Sequence, residues 1–297
     1  MRCAVRWFAA FGVPPGTSGL DIPWAVTEGF EVGRSGVSIR STSLVQREVD
    51  IRLLGGPAVS GPRATDVVPG GVKSRTLLAA LALDAGSAVS IERLMDYLWE
   101  REPPRSALKN LQLYASRLRR CLDAANTGFS RLLVHVGHGY RLDVPAQAVD
   151  VLRAGGSLRD GVAALRRGEP RYAVVALTEA LSGWPVDGLA GLVPSGPATA
   201  AAALWRERRI TAVEHLATAK VELGAWEEAA DLLASHASAH PTREPSQVLL
   251  MRALAHLGDR VGAIAVYRRL WRVLDADLGI RPGGEARAVF EGLLGNA

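Results

Sequence analysis

A chain of 297 residues is long enough for two domains, each with its own core. With 48% hydrophobic residues but no apolar run approaching ~18 positions, the sequence excludes a membrane-spanning helix. Its net charge of +5 is too modest to name a partner, and two cysteines, Cys3 and Cys121, exclude a disulfide framework and point to a reducing cytoplasm.

Residues 1–46 are rich in Gly, Ser, Thr and Pro and lack sustained periodicity. Arg6 interrupts the first apolar stretch, which ends at Pro14-Pro15, too soon for a signal peptide. The segment is expected to be an irregular extension or the product of an early start codon. Order begins near Val49. Val49-Asp-Ile-Arg-Leu-Leu54 alternates as a strand does, Gly55-Gly56-Pro57 turns it, and short strands around Ala58-Val59 and Asp66–Val68 complete a small antiparallel sheet. Gly70-Gly71 releases a helix from Val72 to Leu83, which Asp84-Ala-Gly86 stops. Ser90 caps a second helix, Ile91 to Trp99, with Leu94, Leu98 and Trp99 as core candidates.

Pro103-Pro104 breaks the chain before a third helix with two unlike faces. Leu108, Leu111, Ala115, Leu118 and Leu122 recur at helical spacing and form an apolar back. Lys109, Leu113, Ser116, Arg117 and Arg120 fall on the opposite face, with Asn110 to one side and Arg119 at the flank. From Arg105 to Arg141 there are seven basic residues against one acidic, a local surplus that suits a polyanion. Two strands, Leu132–Val136 and Tyr140–Val144, follow across the turn Gly137-His138-Gly139. Sheet, three helices and a hairpin make a winged helix-turn-helix. In that fold the third helix enters the major groove, with Lys109, Asn110 and Leu113 towards base edges and Arg117 and Arg120 towards phosphates. Arg131, His138 and Arg141 on the wing reach backbone or minor groove.

Beyond Pro145 the strand signals vanish and an internal repeat appears. Gly224 and Gly258 are 34 residues apart, as are Ala229 and Ala263, and Gly168 opens a further copy. A bulky residue follows each Gly nine positions on (Leu177, Leu233, Tyr267); Pro185 and Pro241 follow the first two at seventeen, where the third has Asp275. This is the pattern of tetratricopeptide (TPR)-like helical hairpins, which stack into grooves that hold partners. An insertion separates the first hairpin from the second: a Gly/Pro-rich loop, Asp187–Thr199, and part of an added helix, Ala200–Leu216. A turn at Asp277–Pro282 and a capping helix, Glu285–Leu294, close the array. The fold class is therefore mainly α with a small β component. It comprises an irregular extension (1–46), a winged helix with an N-terminal antiparallel sheet (47–146), and an all-α TPR-like domain (147–297).

Both halves together resemble a Streptomyces antibiotic regulatory protein (SARP-type) activator, an OmpR-like winged helix fused to a bacterial transcriptional activation domain. The resemblance runs from about residue 49 to 297. It rests on Gly71-Val-Lys-Ser-Arg-Thr-Leu-Leu-Ala-Ala-Leu81, Val89–Leu94, Leu98-Trp99 with Pro103-Pro104, Asn110–Arg120 and Gly139-Tyr140. In the second half it rests on His240-Pro-Thr-Arg-Glu244, Ala263–Arg269 and Leu274–Pro282. The matching stretches add Lys73, Arg75 and Tyr140 to the DNA-binding candidates, and Arg119 stays among them. The resemblance implies activation of a secondary-metabolite gene cluster through short direct repeats near the promoter −35 element, read by at least two copies side by side. It also implies contact with RNA polymerase, for which Glu100, Arg101 and Glu102 are candidates. Where the family hairpin has Pro-Pro-Gly-Tyr, this one has Gly137-His-Gly-Tyr140, which implies a more mobile wing; residues 1–46 match nothing in the family.

The rival readings are weaker. Gly70-Gly-Val-Lys-Ser74 lacks the first Gly and the Gly-Lys pair of a phosphate loop, and no Gly-x-Ser-x-Gly elbow occurs. His236/His240 and His135/His138 have metal-like spacing but nothing completes a site, so neither an enzyme nor a cofactor is expected. A TPR-like adaptor with a vestigial winged helix is the alternative. Trp99, Trp205, Trp226 and Trp271 are expected in the core.

Overall fold

The computed structural model describes residues 48–99 and 102–295. The 1–46 extension with Cys3 lies outside them. Strands β1 (Asp50–Arg52) and β2 (Ala58–Ser60) pair antiparallel with Ile51 opposite Val59, both fully buried. The strand expected around Asp66–Val68 reduces to a single bridge, Val59 to Val67. Helix α1 (Val72–Leu83) follows, with Leu77, Leu78 and Leu81 inward.

The sequence reading missed strand β3 (Ala88–Ser90), three residues directly ahead of helix α2 (Ile91–Trp99). Three residues carry too little alternation to register as a strand. Ser90 ends β3 and caps α2, its Oγ accepting from the Arg93 N–H at 3.2 Å. The hairpin strands β4 (Leu133–Val136) and β5 (Gly139–Leu142) complete a sheet of order β3-β5-β4, antiparallel throughout. The turn between them is two residues, Gly137-His138, one shorter than expected, because Gly139 pairs with Val136. Gly137 takes the left-handed φ of 54° that such a loop requires at its first position. Gly139 is needed for another reason: a Cβ there would lie 2.2 Å from the Val89 carbonyl oxygen of β3.

Helix α3 (Ala107–Ala125) buries Ala107, Leu111, Ala115, Leu118, Leu122 and Ala125. Leu108 does not join them and is 48% exposed. Ala107 occupies the inward position one turn before Leu111, which rotates Leu108 about 100° off the buried stripe.

The second half comprises α4 (Asp150–Arg166), α5 (Pro170–Leu181), α6 (Gly196–Glu222), α7 (Trp226–Ala239), α8 (Glu244–His256), α9 (Arg260–Leu278) and α10 (Gly284–Gly295). The added helix begins four residues earlier than expected, because Ser195 caps it by accepting from the Ala198 N–H. Gly168, Gly224 and Gly258 end α4, α6 and α8 in the same left-handed turn, with φ of 71°, 76° and 84°. After each Gly, the next N–H reaches five residues back: Glu169 to Ala164, Ala225 to Lys220, Asp259 to Leu254. Ala173, Ala229 and Ala263 are fully buried where paired helices meet. The Pro positions explain helix length: Pro185 and Pro241 lie beyond the ends of α5 and α7, whereas Asp275 lets α9 continue for 19 residues. Trp205 is buried and Trp99 and Trp226 are half-buried, but Trp271 is 41% exposed, on an open groove beside the stacked rings of Tyr267 and Phe290.

One hydrophobic cluster runs through residue 146. It joins Ile51, Leu77, Leu94, Leu111 and Phe129 to Val149, Val151, Trp184, Leu189 and Trp205. The Asp150 carboxylate, at the start of α4, accepts from the Leu53 and Leu54 N–H groups at 2.9 and 3.0 Å. The loop before α6 is bonded to the first half at several points. Gly55 N–H donates to the Gly188 carbonyl at 2.9 Å, and Val193 N–H donates to Thr76 Oγ1 at 2.8 Å.

Candidate nucleic-acid interface

The buried stripe of α3 leaves its other side open. Lys109, Ser116, Arg117 and Arg120 are exposed along it, with Leu113 among them. The Arg117 guanidinium lies 5.9 Å from the Tyr114 ring, a loose contact that leaves it accessible. Asn110 is half-buried and donates to Ser106 Oγ at 3.2 Å, on the side of the face. Arg131, in a 3-10 turn (Phe129–Leu132) just ahead of the hairpin and not on its strands, is exposed, as is His138 at the hairpin turn; the His138 carbonyl accepts the Ile91 N–H at 2.9 Å, tying the wing tip to the start of α2.

Five of the expected site residues are already engaged within the fold. Arg119 reaches back from α3 and donates to the Leu133 carbonyl at 3.0 Å, joining the helix to β4. Tyr140 is buried, its ring edge-on to His135 with centroids 5.1 Å apart, because it alternates inward on β5. Arg141 is half-buried on the central strand, 3.8 Å from the Asp143 carboxylate. The Lys73 ammonium donates to the Leu98 carbonyl, lies 4.8 Å over the Trp99 ring and is held below the usual lysine range by burial. Arg75 points to the second half and donates to the Gly191 carbonyl at 3.3 Å. Glu102 is exposed just after α2; Glu100 and Arg101 lie outside the described residues.

The structure adds what local pattern could not carry. The segment Val67–Gly71 runs beside α3 and forms with Arg117, Arg120 and Cys121 an open groove of about 470 Å³. Sequence neighbours give no sign of this contact, which spans about fifty positions. Cys121 closes its floor; burial pushes the thiol up to about 11, so it is protonated and inert, donating to the Val67 carbonyl. Leu108 and Arg105, both exposed at the start of α3, extend the outer face towards the α2–α3 loop. In chemical terms the face offers point charges for phosphates and a small apolar patch. Among the described residues no group of His, Cys, Asp or Glu is placed to hold a metal ion, and no helix is long and apolar enough to cross a membrane.

A winged helix with a cationic, outward-facing third helix, joined to stacked helical hairpins, defines the class: a transcriptional regulator with an attached helical activation module. Comparison with known proteins agrees. Residues 66–142 match the family model "Transcriptional regulatory protein, C terminal", and residues 149–294 match "Bacterial transcriptional activator domain". The chain is 35% identical over 241 residues to the transcriptional regulator RedD of Streptomyces coelicolor, covering 80% of this chain and 68% of RedD. It is 34% identical over 228 residues to the regulatory protein AfsR of the same organism, 76% of this chain but 22% of AfsR. The solved structure of Mycobacterium tuberculosis EmbR, in complex with a low-affinity phosphopeptide, superposes with a TM-score of 0.77 at 30% identity, covering 84% of this chain and 65% of that one. The chain belongs to the Streptomyces antibiotic regulatory protein family of transcriptional activators, a family of regulators and not of enzymes.

Proposed function

We propose that the protein activates a secondary-metabolite (antibiotic) gene cluster by binding direct repeats near the promoter −35 element and recruiting RNA polymerase. The observation that carries this reading is the outer face of α3, where Lys109, Arg117 and Arg120 stand exposed on a helix whose back is fully buried. Lys109 and Leu113 approach base edges, with Asn110 at the margin. Ser116, Arg117 and Arg120 meet phosphates, and Arg131 and His138 bring the wing onto the backbone. Two copies sit head to tail on successive repeats. The α2–α3 loop with Glu102 faces the polymerase, a role that extends to Glu100 and Arg101. Domain limits of 47–146 for DNA binding and 147–297 for activation belong to the same reading.

The test is fluorescence anisotropy with the full chain on promoter duplexes carrying two direct repeats, one repeat or none, across a salt series, followed by transcription with purified RNA polymerase. Tight binding to the paired repeats and repeat-dependent transcript are expected. Equal affinity for all three duplexes, or binding without any rise in transcript, overturns the direct-repeat and recruitment steps respectively.

A further inference from the structure

A second site lies away from the DNA face, between α6, α7 and the loop that precedes α6. It is a pocket of about 240 Å³ lined by Arg209 and Val213 of α6, Ser235 and His236 of α7, His240 just beyond α7, and Val186 of the loop. His236 is 94% buried by its 6% exposure, yet its Nε2 has no hydrogen-bond partner. A buried polar atom without a partner is disfavoured, so its presence here points to an occupant. Arg209 spends only Nε, which donates to the Trp184 carbonyl at 3.0 Å, and its two terminal nitrogens have no partner among the described residues. The His240 ring lies 4.8 Å from that of His236.

The surrounding charge is one-sided. Burial holds His236 below the ordinary imidazole range, and His240, Arg209 and Arg243 add to that effect while Glu214 opposes it. The Glu214 carboxylate is itself committed, accepting from Arg243 at 3.0 and 3.1 Å and from Ser246 at 2.6 Å. What remains is a concave site rich in donors, in which the terminal nitrogens of Arg209 are the cationic group without a partner among the described residues. Metal binding does not fit it: Arg209 is a fixed cation, and no third ligand joins the two histidines among the described residues.

We propose that this pocket binds a small molecule with an oxyanion head, a phosphate or carboxylate, and a short apolar body. The oxyanion accepts from His236 Nε2 and from the terminal nitrogens of Arg209, with His240 and the Ser235 hydroxyl at the rim. Val186 and Val213 pack the apolar part. The site is independent of the DNA-binding reading. Its outer wall, Val186, belongs to the loop whose Gly188 carbonyl accepts the Gly55 N–H of the first half.

The experiment uses the full chain with 15N-labelled histidine. The His236 ring signals are followed while inorganic phosphate, phenyl phosphate or benzoate is added, with sodium chloride at matched ionic strength as the control. A saturable shift of His236 with at least one oxyanion, absent with chloride, is expected; an apolar body that contributes makes phenyl phosphate bind more tightly than phosphate. Ser235→Glu, at an exposed helical position that tolerates Glu, sets a carboxylate at the rim and should weaken binding by about tenfold or more through like-charge repulsion. Arg209→Gln should abolish it. A His236 signal that follows ionic strength alone, or unchanged affinity in a folded Ser235→Glu variant, overturns the proposal.

Discussion

Arg119 and Arg120 are adjacent in sequence and indistinguishable in charge, yet they should respond in opposite ways to truncation. Arg120 is exposed with no partner among the described residues, so Arg120→Ala should change stability by no more than about 0.5 kcal/mol. If it meets a phosphate, its loss releases one fewer counterion, and the slope of log K against log salt should fall by about 0.9. Arg119 donates to the Leu133 carbonyl at 3.0 Å from a half-buried position. A hydrogen bond to a charged group is worth about 1.5–3 kcal/mol, and partial exposure discounts this to about 1–2 kcal/mol. Arg119→Ala should therefore lower Tm by several degrees and loosen the attachment of the hairpin to α3, while leaving the salt slope nearly unchanged. Thermal melts and anisotropy titrations at a series of salt concentrations measure both quantities. Equal loss of slope in the two variants, with no loss of Tm in Arg119→Ala, would show that Arg119 swings out to the DNA and that its bond to β4 contributes nothing.

Three further outcomes follow from the packing. Gly139→Ala places a Cβ 2.2 Å from the Val89 carbonyl oxygen and should cost about 1–3 kcal/mol as β3 is pushed off β5; retained amide protection across β3 would contradict that register. Asp150→Ala strips the acceptor from two backbone donors where the halves join, at a cost of about 2 kcal/mol, and should speed hydrogen exchange at the Leu53 and Leu54 amides before it affects α8–α10. Unchanged exchange at those two amides would mean the carboxylate does not hold them. His215 and His236 are both held below the ordinary value of 6.5, burial being the first cause in each. The unfolded chain thus takes up protons first as pH falls, so their contribution is complete above pH 6.5 and is lost progressively below it. Urea midpoints on either side of that pH should show the drop, and replacing both residues by Gln should flatten it; a drop that persists in the double variant belongs to other groups.

Much of the fold could be read locally because the relevant interactions are local. The 34-residue spacing of Gly224 and Gly258 reflects a helix end that only a left-handed residue closes, and Gly168 shows the same bond pattern. The α1 limits and the Ser90 cap follow from turn residues and side-chain capping within a few positions. The candidate site was harder to read. Helical periodicity places Lys109, Leu113, Arg117 and Arg120 on one face, but it is blind to what approaches from elsewhere in the chain. Tyr140 and Lys73 look available in sequence, and packing turns both inward.

The sequence by itself determined the class of each half, the order of their helices and the position of the cationic helix, since periodicity and turn chemistry act over a few residues. The tertiary structure alone decided which cations remain free. It also decided that β3 completes the wing sheet and that one core runs from Ile51 to Trp205 through Asp150 and the loop before α6. Each of those outcomes depends on groups distant in the chain meeting at bonding distance, and backbone donors and buried surfaces become partners only when the chain has closed around them.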